Sequence, residues 1–279
     1  MSTTILKETK IFICCPANFA TGGPESLHQL CYNLKKYFNC EVFMFYYNFN
    51  PKKFQTPIDI KYKKYNIPYV IELDKHNDNI NNILIVYEGK KELELLDNFK
   101  DIRKCVWLVS VDNYYLQKIN IMDYFFQRAI NKIFRLIGFG PLFDISSEKN
   151  IIKLSKKYNY KKDYYLSLAN YYIVNSYRGM KWFNELKPLY YLFGYINTDF
   201  LKIQTDLTLK ENIVAYNPLK GIAFTKKIIN NAKHIQFIPI KNMSREEVIK
   251  TLQKAKVYID FGNHPGKDRM PREAAILGC

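Results

Sequence analysis

Val257-Tyr-Ile-Asp-Phe-Gly-Asn-His-Pro-Gly-Lys-Asp-Arg-Met-Pro-Arg-Glu-Ala-Ala-Ile-Leu-Gly278 changes character twice along its length. Val257 to Phe261 is a short apolar run and reads as a strand. A Gly/Pro loop follows, then a helix start, with Pro271 expected at the first helical position, where its missing N–H costs nothing. Glu273 falls in the first turn, and Gly278 is a helix stop. Lys267, Arg269 and Arg272 lie in or just after the loop. A helix N-terminus has free N–H groups and the positive end of the dipole, so with flanking cations it favours an anion such as a diphosphate. A plain strand-loop-helix corner with solvated charges has the same pattern. The concentration of Gly, His, Lys, Asp, Arg and Glu in ten residues favours the ligand site.

The residues before this stretch repeat the same alternation. Ile213 to Tyr216 reads as a strand ending on Asn217-Pro-Leu-Lys-Gly221. A helix follows with Phe224, Ile228, Ile229 and Ala232 on one face. Ile235 to Ile240 is a second strand. Ser244-Arg-Glu-Glu247 is a capping box that opens a helix with Val248, Ile249, Leu252 and Ala255 facing inward. The polar run from Lys202 to Glu211 reads as a linker, which divides the chain into domains 1–203 and 204–279.

The first part alternates too. Lys10-Ile-Phe-Ile-Cys-Cys15 is a buried-strand pattern. It enters a Gly-rich turn and an amphipathic helix carrying Leu27, Leu30, Cys31, Leu34 and Phe38, with Pro24 expected at the first helical position. Gly22 and Gly23 would let a backbone come close to a ligand, although the full G-x-G-x-x-G spacing is missing and a tight turn explains them equally. Further strands are expected at Glu41 to Tyr47, Ile83 to Tyr87, Cys105 to Val111, Tyr171 to Asn175 and Tyr190 to Ile196, with helices at Lys91 to Phe99 and Ser176 to Leu186. A short helix is expected after Asn197 or Thr198 as cap. Alternating strands and helices imply a parallel sheet covered on both faces, with ligands at the carboxyl ends of its strands. Glu88 and Asp112 stand at such ends, unless the first is a plain turn acid and the second a helix cap.

Composition narrows the class. The chain has 279 residues, enough for one large or two ordinary domains, and a formal net charge of +16. Nucleic acid, anionic membrane and phosphorylated substrate would each suit that charge. Lysine is dispersed along the chain, and no zinc-finger spacing or RNA-recognition signature is present, so nucleic acid is not the expected partner. The six Cys form no C-x-x-C pair and read as small buried hydrophobes suited to a reducing cytoplasm. No apolar run reaches a membrane span or a signal-peptide core. Residues 121 to 145 interleave apolar groups with Arg128, Lys132 and Arg135, which fits either an interfacial helix on an anionic membrane or a core-facing helix.

Thr21-Gly-Gly-Pro-Glu-Ser-Leu-His28, Val106-Trp-Leu-Val-Ser-Val-Asp-Asn113, Tyr216-Asn-Pro-Leu-Lys-Gly221 and Tyr258-Ile-Asp-Phe-Gly-Asn-His-Pro-Gly-Lys-Asp-Arg-Met-Pro-Arg-Glu-Ala-Ala275 occur in that order. In these segments the chain resembles the GT-B nucleotide-sugar glycosyltransferases, and more narrowly the bacterial surface-polysaccharide (capsule or lipooligosaccharide) enzymes. The resemblance implies an α/β fold of two Rossmann-like domains facing a cleft, and transfer of a sugar from a nucleotide-sugar donor to a hydroxyl of a glycan or lipid-linked glycan acceptor. It implies no cofactor and no bound metal, because protein cations neutralise the diphosphate. Lys220, Lys267 and Arg269 would hold the donor phosphates, with Gly22 and Gly23 approaching from the other domain. Glu273 matches the second acid of the family's paired-Glu motif and would accept from the ribose. The first acid should stand eight residues earlier, where this chain has Pro265; His264 or Asp268 would substitute. Donor domains of this family continue past the point where this chain stops, so the resemblance implies an incomplete second domain. A non-catalytic nucleotide-binding or regulatory fragment, and a basic membrane-docking adaptor, are the other two readings.

Overall fold

A computed structural model describes residues 5–136, 142–143, 145, 147–196, 198–262, 264 and 266–279. The chain is α/β and divides into two compact units, Met1–Phe193 and Gly194–Cys279. The segment 194–203 therefore belongs with the second unit.

The first unit contains β1 (Lys10–Pro16), α1 (Gly22–Tyr37), β2 (Glu41–Tyr47), β3 (Tyr69–Val70), β4 (Ile83–Tyr87), α2 (Lys90–Glu94), β5 (Arg103–Leu108), α3 (Val111–Leu116), α4 (Ile121–Leu136), α5 (Glu148–Lys157), α6 (Tyr164–Ser167), β6 (Tyr171–Val174), α7 (Tyr177–Trp182) and β7 (Leu189–Tyr191). Its strands pair in the order β3-β2-β1-β4-β5-β6-β7, every pair parallel. Side-chain alternation explains why helices cover both faces. Ile11, Ile13, Ile83, Ile85, Cys105 and Trp107 enter one buried cluster with Leu27 and Cys31 of α1. Their neighbours Phe12, Cys14, Leu84, Val86, Val106 and Leu108 enter another, with Leu93 of α2 and Tyr114 and Tyr115 of α3. Burying each large apolar side chain contributes about 1.5–3 kcal/mol, so strands apolar on both sides belong in the middle of such a sheet.

The second unit contains α8 (Thr198–Leu201), β8 (Glu211–Tyr216), α9 (Ile222–Asn231), β9 (Gln236–Pro239), α10 (Arg245–Lys254), β10 (Ala255–Ile259) and α11 (Arg269–Ile276). Its parallel sheet has the order β10-β8-β9. Ile213, Ala215, Val248, Leu252, Ala274, Leu277 and Phe200 form its core. The capping box at Ser244 and Glu247 is present in both directions. The Lys210 ammonium donates to the carbonyls of Leu252, Ala255 and Leu277, tying the ends of α10 and α11 to the segment before β8.

Several elements differ from the sequence expectation. The strand expected to reach Val111 ends at Leu108, because Glu88 takes the Val109 and Ser110 N–H groups and the Ser110 hydroxyl caps α3. Pro24 and Pro271 are the third helical residues, not the first. Proline is tolerated throughout a first turn, whose N–H groups have no intrahelical acceptor. The strand after α7 is only three residues long, and α7 itself ends at Trp182. Of the apolar residues expected on one face of α9, Phe224 is exposed, and the buried residue of the helix is Thr225. The core-facing reading of α4 fails, since Met122, Phe125, Phe126, Ile133 and Leu136 are exposed. Asn197 and Pro265 lie outside the described residues. Cys14, Cys15, Cys31 and Cys105 are buried free thiols, and burial raises the pKa of each. No described helix is long and apolar enough to cross a membrane.

Candidate functional site

In each unit the chain reverses its direction of winding between two adjacent strands, which opens a crevice at their carboxyl ends. The crevices lie between β1 and β4 in the first unit and between β8 and β10 in the second. Helix caps mark the same places. The starts of α3, α5, α6, α7 and α10 are each closed by a Ser or Asp side chain accepting backbone N–H groups. The starts of α1, α2, α9 and α11, which follow the four crevice strands, have no side-chain cap. Of these, α9 and α11 have no acid in their first turn and are the more receptive to an anion, whereas α1 and α2 carry Glu25 and Glu92 there.

The second-unit crevice is formed by the loop after β8 and the loop after β10. The two loops touch through glycine. Gly221, the N-cap of α9, has φ +57°, and a Cβ there would lie 2.5 Å from the carbonyl carbon of Phe261. A Cβ on Gly262 would collide with the Lys220 side chain. This interlock brings Lys220 to the start of α11, where its ammonium pairs with the carboxylate of Asp268. Asp268 is the N-cap residue of α11 but makes no capping bond with its side chain, and the oxygen that pairs with Lys220 also meets His264 Nδ1 at 2.8 Å. His264 Nε2 lies 3.8 Å from an Asp260 carboxylate oxygen.

Asp260 is the site residue that sequence reasoning missed. It stands directly after β10, as Glu88 stands after β4, and that shared position is the signal that marks it. Its carboxylate accepts from Asn217 Nδ2 at 3.0 Å, Gly262 N at 3.1 Å and the Tyr258 hydroxyl at 3.2 Å. Burial and the Asp260 charge raise the Tyr258 pKa. Asp260, His264 and Asp268 offer three ligand-type atoms within 4.8 Å of one another. Protein donors already engage both carboxylates, and Lys220 supplies the positive charge at Asp268.

Arg269 and Glu273 pair along α11, Nε to carboxylate oxygen at 3.3 Å, with Glu273 buried and Arg269 more open. Lys267 is half-buried one residue before Asp268. Arg272, the third cation of the stretch, is a structural group. Its guanidinium donates to the carbonyls of Gly194 and Tyr195 at 2.6 and 3.1 Å. Phe224 and Phe261 meet edge to face, 4.8 Å apart, beside Gly221, both partly exposed. The structure thus gathers Lys220, His264, Lys267, Asp268, Arg269 and Glu273 around one crevice of the second unit.

The first-unit crevice holds Gly22, Gly23 and Glu88. A Cβ on either glycine would meet nothing within 4 Å, so the start of α1 faces open space. The Glu88 carboxylate latches the end of β4 to that of β5, accepting from Val109 N at 2.7 Å and Ser110 N at 3.1 Å. Burial pushes its pKa up to about 7 against the pull of those donors. Glu92, folded back beneath Gly89, is also raised to about 7, by burial and then by Glu94. Asp112 lies in the first turn of α3, buried in an ion pair with Arg178, which also holds Glu148 at 2.6 Å. His28 is a buried scaffold group: one ring nitrogen meets the Pro24 carbonyl at 2.7 Å, the other meets the Tyr46 hydroxyl, and burial lowers its pKa.

No family model matches the sequence, and no curated protein does. Among solved structures the chain is similar to an alpha-glucosyltransferase in complex with UDP, at 12% identity and TM-score 0.42, over 92% of this chain and 74% of that one. It is similar to Phytolacca americana UGT2 complexed with UDP-2fluoro-glucose and pterostilbene, at 10% identity and TM-score 0.46, over 97% and 83%. A UDP-glucosyltransferase from Polygonum tinctorium, capable of glucosylating indoxyl, matches at 9% identity and TM-score 0.43, over 96% and 83%.

Proposed function

We propose that the protein is a GT-B nucleotide-sugar glycosyltransferase, moving a sugar from a nucleoside-diphosphate donor to a hydroxyl of a bacterial surface glycan. One observation carries the reading: Lys220, Lys267 and Arg269 surround the uncapped starts of α9 and α11 at the switch point of the second sheet. Two helix dipoles and three cations suit the concentrated charge of a diphosphate. As the bond from the sugar C1 to the diphosphate oxygen breaks, negative charge grows on the leaving group, and these groups stabilise it more than the ground state. Asp268 keeps Lys220 in place; a diphosphate takes over the ammonium and leaves Asp268 with His264. Glu273 orients Arg269 and accepts from the ribose. The Phe224 and Phe261 rings offer a surface for the base to stack on.

The new bond forms between the acceptor oxygen and C1, and the acceptor proton must go to a base. Glu88, poised near neutrality at about 7, has the basicity for that step. Asp112, ion-paired with Arg178, serves as a positioning group. Protein cations do the work a divalent ion would otherwise do, so EDTA leaves turnover unchanged. Loss of activity with EDTA and its return with Mn²⁺ would instead assign Asp260, His264 and Asp268 to a metal. The test of the reading is calorimetric titration with UDP- and GDP-sugars, followed by mass spectrometry of acceptor mixtures. Absence of any nucleoside-diphosphate binding sinks it; binding without transfer to any glycan leaves a nucleotide-binding regulatory protein.

A further inference from the structure

We propose that α4 and the groove beside it dock the protein on an anionic lipid bilayer. Met122, Phe125, Phe126, Ile133 and Leu136 are 74%, 60%, 64%, 57% and 78% exposed. At 3.6 residues per turn they fall on one stripe about 100° wide. The polar side of the helix is anchored instead, with Asn131 exchanging hydrogen bonds with the backbone of Phe143 at 2.6 and 2.8 Å. This is the reverse of a core helix, whose apolar stripe faces the protein.

The surroundings decide what covers the stripe. Between α4 and α5 lies a groove of about 650 Å³, with Phe143, Ile145 and Ile152 beside Lys149, Lys153 and Lys156. Arg128 and Lys132 flank the stripe on α4 itself. Over residues 121–162 the sequence has nine Lys and Arg against three Asp and Glu. One of those acids, Glu148, is engaged by Arg178. A second copy packed here through a two-fold axis would set this positive charge against itself. A bilayer with anionic headgroups supplies hydrocarbon for the aromatic stripe and phosphates for the ammonium groups. At 16 residues, α4 lies in the interface and does not span it.

The inference is independent of the donor site and is tested without substrate. The full chain is sedimented with phosphatidylcholine vesicles, with and without phosphatidylglycerol. Binding should require phosphatidylglycerol and fall away in high salt, since only the charge term is screened. The double variant Phe125→Asp, Phe126→Asp should reduce partitioning ~10-fold or more, while Lys149→Glu with Lys153→Glu should abolish the preference for anionic lipid. All four side chains are exposed, and an unchanged thermal melt shows that the fold is intact. Failure to bind anionic vesicles overturns the proposal. So does binding that ignores phosphatidylglycerol, or a protein dimer that the Phe125/Phe126 variant dissolves with no vesicle binding in the wild type.

Discussion

Lys220 and Asp268 form a pair whose partners can be exchanged, and that makes single substitutions informative. Replacing Lys220 by Met keeps the stem that packs on Gly262 and removes the charge. Loss of one charge-assisted hydrogen bond is worth about 1.5–3 kcal/mol, so donor affinity should fall about 10- to 100-fold. Arg269→Ala should cost a similar amount or less; unchanged affinity would mean that Arg269 serves only Glu273. Gly221→Ala puts a side chain into the backbone of Phe261 at a positive φ. It should destabilise the second unit by about 1–3 kcal/mol, read by chemical denaturation. Glu92 gives a pH signature. Its carboxyl titrates at an ordinary 4.5 when unfolded and at about 7 when folded. Below the lower value both states hold the proton and nothing is lost. Between the two values the unfolded chain releases a proton that the folded chain keeps, so stability falls as pH rises, by up to ~3 kcal/mol. Glu92→Gln should flatten the decline in Tm between about pH 5 and pH 8. An unchanged slope would show that Glu92 is ionised at no cost.

Among the elements, helix capping separates structural corners from the candidate site. Helices α3, α5, α6, α7 and α10 carry Ser or Asp caps, while those after the four crevice strands carry Thr21, Gly89, Gly221 and a diverted Asp268. A Ser or Asp before a helix is visible in the sequence, and the capping box at Ser244 is legible directly. Asp268 is not legible that way, because its carboxylate is claimed by Lys220 from a loop 48 residues away. Strand cores are legible: β2 and β4 run over the expected residues, since fully apolar runs bounded by polar groups admit few alternatives. Strand ends are not, as at β5, where Glu88 draws two N–H groups out of the ladder. Periodicity shows α4 as amphipathic but not which side its neighbours cover. Lys210 illustrates the same limit. It lies in a polar stretch that reads as linker, yet it satisfies the terminal carbonyls of two helices. Lys210→Met should lower the stability of the second unit by about 2–3 kcal/mol, with donor affinity preserved in the folded protein.

At the scale of the molecule, two parallel sheets each offer a switch point, and strand order decides where those lie. The sequence announces alternating strands and helices but not their order. That Asp260 and Lys220 face one crevice follows from β10 pairing with β8 instead of β9. The central claim is that this crevice binds a nucleoside diphosphate. Isothermal titration of UDP and GDP into the wild type and the Lys220→Met variant tests it most directly. The account predicts saturable 1:1 binding of one of the two nucleotides to the wild type, and about 10- to 100-fold weaker binding to a variant with an unchanged melt. Absence of binding to the wild type, or equal affinity in the two proteins, would contradict it.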